Sequence, residues 1–384
     1  MGTETFGMKY MKRPFYHFVL LGLFLGLNKS AFAQTKQEST WKSIFNGKDL
    51  SNWDTYMRQP EGTNQKPFGL NNDPLKVFTV SDGAIHVSGQ LWGGVSTKDE
   101  YENYHLRFKV KWGEKKWYPV PNDTIKRDAG LLYHATGPFN FAYDCWLRSS
   151  ELQIQEGEIG DFFGVGAGSA EFPLQKKNVR GKSLDQYNPD APLQRNADAV
   201  GGGRVYRSGD FELPHGQWNT CELITRGADA VYIVNGYVVN RLFNTYRQGI
   251  HQQTTRGKIQ FQSEGAEVFY KNMELRPINF NRKNAPHLVA DQSALKNINA
   301  DKPELLKITN SGDDVELIAV ELIGNANDQF VINLPSFPFK ITKGKSFTLP
   351  VSVKPGTTAN TIVKFRLETV LGPVPDFEVS LESK

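Results

Sequence analysis

The chain is poor in cysteine, carries almost no excess of either charge and shows almost no helical periodicity. Cys145 and Cys221 are the two cysteines among 384 residues, which excludes a disulfide-dense scaffold and any multi-cysteine zinc site. One bridge between them and two separate buried thiols are both open. The formal charge is +4, but Lys9, Lys12, Arg13 and Lys29 against Glu4 put most of it before residue 34. The remainder is close to neutral and calls for no polyanionic partner, nucleic acid included. The apolar run 18–27 is too short to span a bilayer. With the basic residues before it and Ala31-Phe32-Ala33 after it, it reads as a secretory signal cleaved after Ala33 and preceded by a short extension. The expectation is a periplasmic or secreted protein with no membrane span once residues 1–33 are removed.

What the chain has in quantity is rings and turn formers: 12% aromatic residues, 35 Gly and 20 Pro. That balance favours an all-β architecture over helical bundles. Residues 104–111 (YHLRFKVK) alternate strictly between apolar and polar, as a half-buried strand does. Asn235-Gly236 between two apolar runs is a tight-hairpin signal, since both residues accept positive φ. Repeated strands over 38–278 predict two packed antiparallel sheets, a jelly-roll sandwich. Residues 164–216, rich in Gly, Asn and Lys, read as a long excursion that either walls a site or is an unstructured insertion. A polar linker with one short helix is expected over 279–300. From 301 to 384, short strands with turns between them have the rhythm of a smaller immunoglobulin-like β-sandwich, and nothing in that segment looks catalytic.

Candidate chemistry concentrates between Arg127 and Phe163. In Glu151-Leu152-Gln153-Ile154-Gln155 alternate side chains face opposite sides of a sheet, leaving acid and amide groups on one of them. Asp128, Gly130, Leu132 and His134 share a side in the same way. If both strands belong to one sheet, Asp128, His134, Glu151, Gln153 and Gln155 line one hollow, with Trp146 and Arg148 at its edge. That mixture of ring, guanidinium, amide and acid suits sugar hydroxyls and ring faces. Trp92 is a further ring for stacking, and Gln262 and Glu264 extend a polar strand face in GKIQFQSEG. The bland alternatives are a solvated strand face, an acidic turn at Glu156 and Glu158, and tryptophans packed in the core.

Several phrases, in order, resemble the 3-keto-disaccharide hydrolase domain family over about residues 40 to 277. They are Phe45-Asn46-Gly47-Lys48-Asp49-Leu50 with Trp53, STKDEY at 96–101 leading into YHLRFKV, DAGLLY from Asp128, ELQIQEGEIGDFFG from Glu151, Gly216-Gln217-Trp218-Asn219, Val234-Asn235-Gly236, and GKIQFQ from Gly257. The resemblance implies a concanavalin A-like jelly roll that is exported and acts on glycosides oxidised at C3 by a partner sugar 3-oxidoreductase. This chain has His134 where the family's strand ends in Arg, and Gln262-Ser263-Glu264-Gly265 where the family often has a Gln-Asp-His-Gly string.

A ketone at C3 acidifies the C2 proton, so a base can remove it, the C1 substituent can leave by β-elimination, and water can add to the enone. The route needs a base, donors for the enolate oxygen and an acid for the departing oxygen. Glu151 or His134 is the candidate base, and Glu156, Glu158 or Asp161 the candidate acid. Gln153 and Arg148 are candidates to hold oxygens. The residues demand no cofactor, although a divalent metal held by His134 and carboxylates would stabilise an enolate. Two other readings fit the same residues: a lectin-like module that binds glycans without chemistry, and a conventional glycoside hydrolase with two carboxylates.

Overall fold

The computed structural model describes residues 40–384 except 61, 64, 118–123, 180, 197–202, 248–251, 281–284 and 325–326. The expected signal segment lies outside the described residues. Among those described, regular structure is all β apart from one 3-10 turn at Asn327–Gln329, and no helix is long and apolar enough to cross a membrane.

The larger unit is a jelly-roll sandwich. One sheet has seven strands, in the order Phe162–Val165, Arg148–Gln155, Asp128–Thr136, Lys258–Ser263, Gly93–Thr97, Trp53–Met57 and Gly69–Leu70. Opposite it lie Phe78–Ser81, Ala84–Val87, Ala266–Pro277, Tyr104–Lys116, Asn219–Arg226, Asp229–Val234 and Tyr237–Arg247, paired antiparallel in that order. Period-two alternation sends Leu131, Tyr133, Leu152, Ile154, Ile259 and Phe261 inward from the first sheet. Leu106, Phe108, Val110, Leu223 and Tyr270 meet them from the second. The Asn235-Gly236 turn has φ of 49° and 84° and joins Val234 directly to Tyr237, the geometry that dipeptide is suited to.

The excursion after residue 164 is structured over much of its length. Gly168–Val179 and Lys182–Tyr187 form a hairpin, and the first of these strands also pairs with Tyr237–Arg247. Ala170, Phe172 and Leu174 supply its buried face.

Residues 288–298 are not a helical linker. Leu288–Ala290 pairs with Glu304–Asn310, and Ala294–Ile298 runs parallel to Val379–Ser383. Leu288, Leu295 and Ile298 are buried in the second core, and that apolar burial draws the segment into the smaller β-sandwich. The smaller sandwich packs firmly on the larger one. Arg241 donates to both carboxylate oxygens of Glu368 at 3.2 and 2.9 Å, with both residues buried. The Tyr187 hydroxyl donates to Glu321 at 2.6 Å. Lys364 and Arg366 reach Asp190, just beyond the hairpin, at 2.7 and 3.2 Å.

Candidate functional site

The outward face of the seven-stranded sheet carries the polar members of the alternation. Asp128 stands opposite Gln155, Gly130 opposite Gln153 and Leu132 opposite Glu151. On the other flank, Gln260 lies beside Leu132 and Phe261 beside Leu131, which brings Gln262 alongside Gly130. Gly130 lacks a side chain, so Glu151 and Gln262 lean toward each other across its strand. A Cβ at residue 130 would collide with the Glu151 carboxylate and the Gln262 amide oxygen.

A cavity of about 490 Å³ opens over this face. Its floor is polar: Asp128, Glu151, Gln153, Gln262 and Glu264. Glu151 is 4% exposed and Gln262 1%. Asp128 Oδ1 and Gln262 Oε1 are buried without a hydrogen-bond partner, whereas Asp128 Oδ2 accepts from Gln155 at 2.6 Å. Burial pushes the Asp128 carboxyl up to about 7, offset only in part by the Gln155 amide and by Arg204. Burial, with Asp128 nearby, raises Glu151 well above the usual carboxylate range. Glu264 is raised well above that range too, by burial and then by Asp128 and Glu151, against the pull of Arg58. Carboxyls that crowd together in a low dielectric keep protons into neutral solution.

Aromatic residues form the walls and rim. The Trp146 indole donates to the Gly93 carbonyl at 2.9 Å and presents its ring to the cavity. Trp92 stacks on Trp146 at 5.2 Å and carries the Arg58 guanidinium 4.7 Å from its ring, so Trp92 supports the wall instead of lining it. Phe141 is 41% exposed and Tyr143 54%. Arg148 sits over Phe141 at 4.0 Å. Tyr143 and Asp144 both have positive φ, 52° and 60°, a conformation that bulky residues avoid and that often marks binding loops. The loop is closed by hydrogen bonds between the backbones of Ala142 and Trp146 in both directions, each 2.9 Å.

Four of the five expected catalytic residues lie elsewhere, and of the expected binding residues Trp92 and Gln155 do not line the cavity. A bulge between Tyr133 and Thr136 gives His134 a φ of 48° and turns it away from the acid face. Its ring is 1% exposed, packs edge-on to Tyr104 and Tyr133, and has no hydrogen-bond partner on either nitrogen. Burial lowers His134 to about 4, although the nearby Thr254 backbone pulls the other way without closing a well-formed bond. His134 is therefore neither in the cavity nor placed to share a metal with the floor carboxylates. Among the described residues no group of three or more His, Cys, Asp or Glu is arranged to hold a metal ion.

Glu156, Glu158 and Asp161 are also outside the cavity, each engaged in ion pairs. Glu156 meets Arg127 at 3.0 Å and His215 at 2.9 Å. Glu158 meets Lys126 at 2.5 Å, and also Arg204. Asp161, fully buried, holds Arg204 at 2.5 Å and Arg207 at 3.3 Å. Burial raises Glu156 and Glu158, but their cationic partners outweigh it and leave both below the usual range. Such groups hold no proton to donate near neutrality. Cys145 and Cys221 are both free, and they lie in different buried clusters.

Sequence reasoning missed Phe141, Tyr143, Phe163 and Arg204. The signal for the first two was the aromatic density of PFNFAYDCW, which has no periodicity. Arg204 comes from the Gly-rich excursion and stacks over Phe163 and Tyr206 at 5.1 and 4.4 Å.

The family model described as a 3-keto-alpha-glucoside-1,2-lyase-like domain matches residues 40–276. No curated protein matches the chain significantly. Two solved structures from Parabacteroides distasonis ATCC 8503, each provisionally named a glycosyl hydrolase, are 17% and 16% identical. They cover 62% of this chain and 94% and 100% of their own, with TM-scores of 0.34 and 0.37. LamAcat from Zobellia galactanivorans is 10% identical over 62% of this chain and 96% of its own, with a TM-score of 0.34.

Proposed function

The chain belongs to the 3-keto-alpha-glucoside-1,2-lyase-like domain family, and on that premise we propose that it cleaves glycosides bearing a ketone at C3, by C2 proton abstraction, β-elimination and hydration. The observation that carries this reading is the meeting of Asp128, Glu151 and Glu264 with two amides on the floor of one cavity. Proton abstraction next to a ketone needs a base that titrates near working pH and donors that stay protonated there. Asp128, at about 7 and with Oδ1 unpartnered, meets the first need. Glu151 and Glu264, both raised, meet the second. A carboxylic acid held neutral by its surroundings donates a hydrogen bond to a developing enolate. Glu264 takes that task at O3, and Glu151 gives its proton to the departing C1 oxygen. Gln153 and Gln262 orient hydroxyls. Water then adds at C1 of the enone and gives its proton back to Glu151, while Asp128, its proton exchanged with solvent, protonates C2.

The chemistry presupposes an upstream sugar 3-oxidoreductase, and residues 1–33 suit export, which together suggest a periplasmic or secreted enzyme. The test is to incubate the purified protein with a 3-keto-glucoside in deuterated water, with and without added divalent metal. Release of the aglycone and deuterium at C2 are expected. Glu151→Gln and Asp128→Asn should each lower the rate by about 10²- to 10⁴-fold, the usual contribution of a positioned acid or base. No release in any arm, together with glycan binding indifferent to Glu151→Gln, would leave a lectin-like module as the reading.

A further inference from the structure

We propose that the group departing from C1 is an aromatic aglycone and not a second sugar, an inference that rests on the activity proposed above and specifies its substrate class. The cavity is divided by chemistry. Its floor holds five acid or amide side chains, enough to engage the hydroxyls and the ketone of one sugar ring. Its mouth is the exposed pair Phe141 and Tyr143, and Phe163, which flanks Glu151 from the next strand, lines it further with Val165 and Ala167.

A second sugar would bring several hydroxyls to that mouth, and each would need a partner to replace water. Among the described lining residues, the mouth offers only the Tyr143 hydroxyl and the Arg148 guanidinium. The face of the latter lies on Phe141 and its N–H edge stays open, so two side chains would have to serve the several hydroxyls of a second sugar. The Trp146 N–H is used on Gly93.

A flat apolar group fits better, for three reasons. Phe141 and Tyr143 stand exposed on either side of Ala142, and rings of that kind stack on aromatic ligands. Phe141 is held in place from behind: Gly166, at φ 73°, leaves the space its ring occupies, and a Cβ there would meet the ring at 2.8 Å. The Tyr143 ring packs against Trp146 at 5.2 Å and Trp92 at 6.3 Å, so it loses little further freedom when a ligand arrives.

The test has two arms. In the first, kcat/KM is measured for a phenyl 3-keto-glucoside and for a 3-keto-disaccharide with the same reacting sugar, in the wild type and in Phe141→Ala. Because an aryloxide leaves more readily in any case, the informative quantity is the change in their ratio. Phe141→Ala should lower the phenyl-to-disaccharide ratio by about tenfold, what one lost ring stack is worth. In the second arm, calorimetry on Glu151→Gln compares unoxidised phenyl glucoside with the unoxidised disaccharide, and the phenyl compound should bind at least about tenfold tighter. Equal or tighter binding of the disaccharide, or a ratio unmoved by Phe141→Ala, overturns the proposal. The two readings fail separately. Cleavage of both substrates with no effect of Phe141→Ala keeps the activity and removes the aglycone. Tight phenyl-glucoside binding that depends on Phe141, without cleavage of either ketone, keeps the aromatic mouth and removes the activity.

Discussion

Glu151 and Gln262 reach the same point above Gly130 from strands on opposite sides of it, and their side-chain oxygens occupy the space a methyl group would take. Gly130 lies outside the positive-φ residues, so alanine there is a purely steric insertion. Gly130→Ala should keep the fold at a stability cost of about 1–3 kcal/mol, typical of overpacking. It should also lower kcat/KM by about 100-fold, since displacing catalytic groups by an ångström has that effect. Thermal melting and aglycone release measure the two separately.

Asp128 gives a pH dependence with a defined sign. Its folded value of about 7 lies above the ordinary carboxyl value of 3.8, so the folded state holds this proton more tightly than the unfolded chain does. The resulting stability is full below about 4 and is lost as pH rises through about 7. Asp128→Asn should therefore melt higher than the wild type at pH 8, and the gap should close near pH 4. Activity should run the other way in the wild type, climbing through a limb near pH 7 as the base ionises.

Arg204 should set where that limb falls. It lowers both Asp128 and Glu151 while anchored to Asp161 and Glu158. In Arg204→Met the alkaline-rising limb should move to higher pH, and the pH–rate profile reports it. A variant that loses rate equally at every pH would show that Arg204 acts only through the fold.

His134 should prove dispensable for turnover. Its value is lowered to about 4, so its contribution to stability is present above about 6.5 and is lost as pH falls toward about 4. Asparagine tolerates the positive φ found there. His134→Asn should leave kcat within about twofold, far from the 10²-fold expected of a lost base, and should flatten the loss of stability between pH 6.5 and 4 seen in chemical denaturation.

The buried pair of Arg241 and Glu368 should be costly to break from one side. Arg241→Met leaves Glu368 and Glu321 buried without their cation, and breaking such a pair typically costs about 3–5 kcal/mol. Urea unfolding of Arg241→Met should show that loss, and Arg241→Met combined with Glu368→Leu should recover part of it.

The strand face Glu151–Gln155 was readable because a period of two is a local property, and the jelly roll followed from many such strands. His134 was misplaced by the same rule. One bulge shifts the phase of the alternation, and a one-residue slip moves a side chain to the other face. Glu156, Glu158 and Asp161 follow the strand directly and look like catalytic acids in the sequence. Their partners Arg204, Arg207 and His215 lie 43 to 59 residues away, so only the folded chain shows that they are neutralised. The excursion hid a strand because Pro173 interrupts the visible alternation of Ala170, Phe172 and Leu174. Residues 288–298 read as linker because their three buried apolar side chains are spread among polar ones.

The packing of the smaller sandwich makes the last hundred residues part of the architecture of the first. A chain cut near residue 278 would leave Arg241 a stranded cation and the Tyr187 hydroxyl without its acceptor. Tyr187 ends the very hairpin from which Asp190 reaches across to Lys364 and Arg366. Inheritance of the two modules should accordingly be joint: a gene that shed its tail would have to rewrite that flank in the same step.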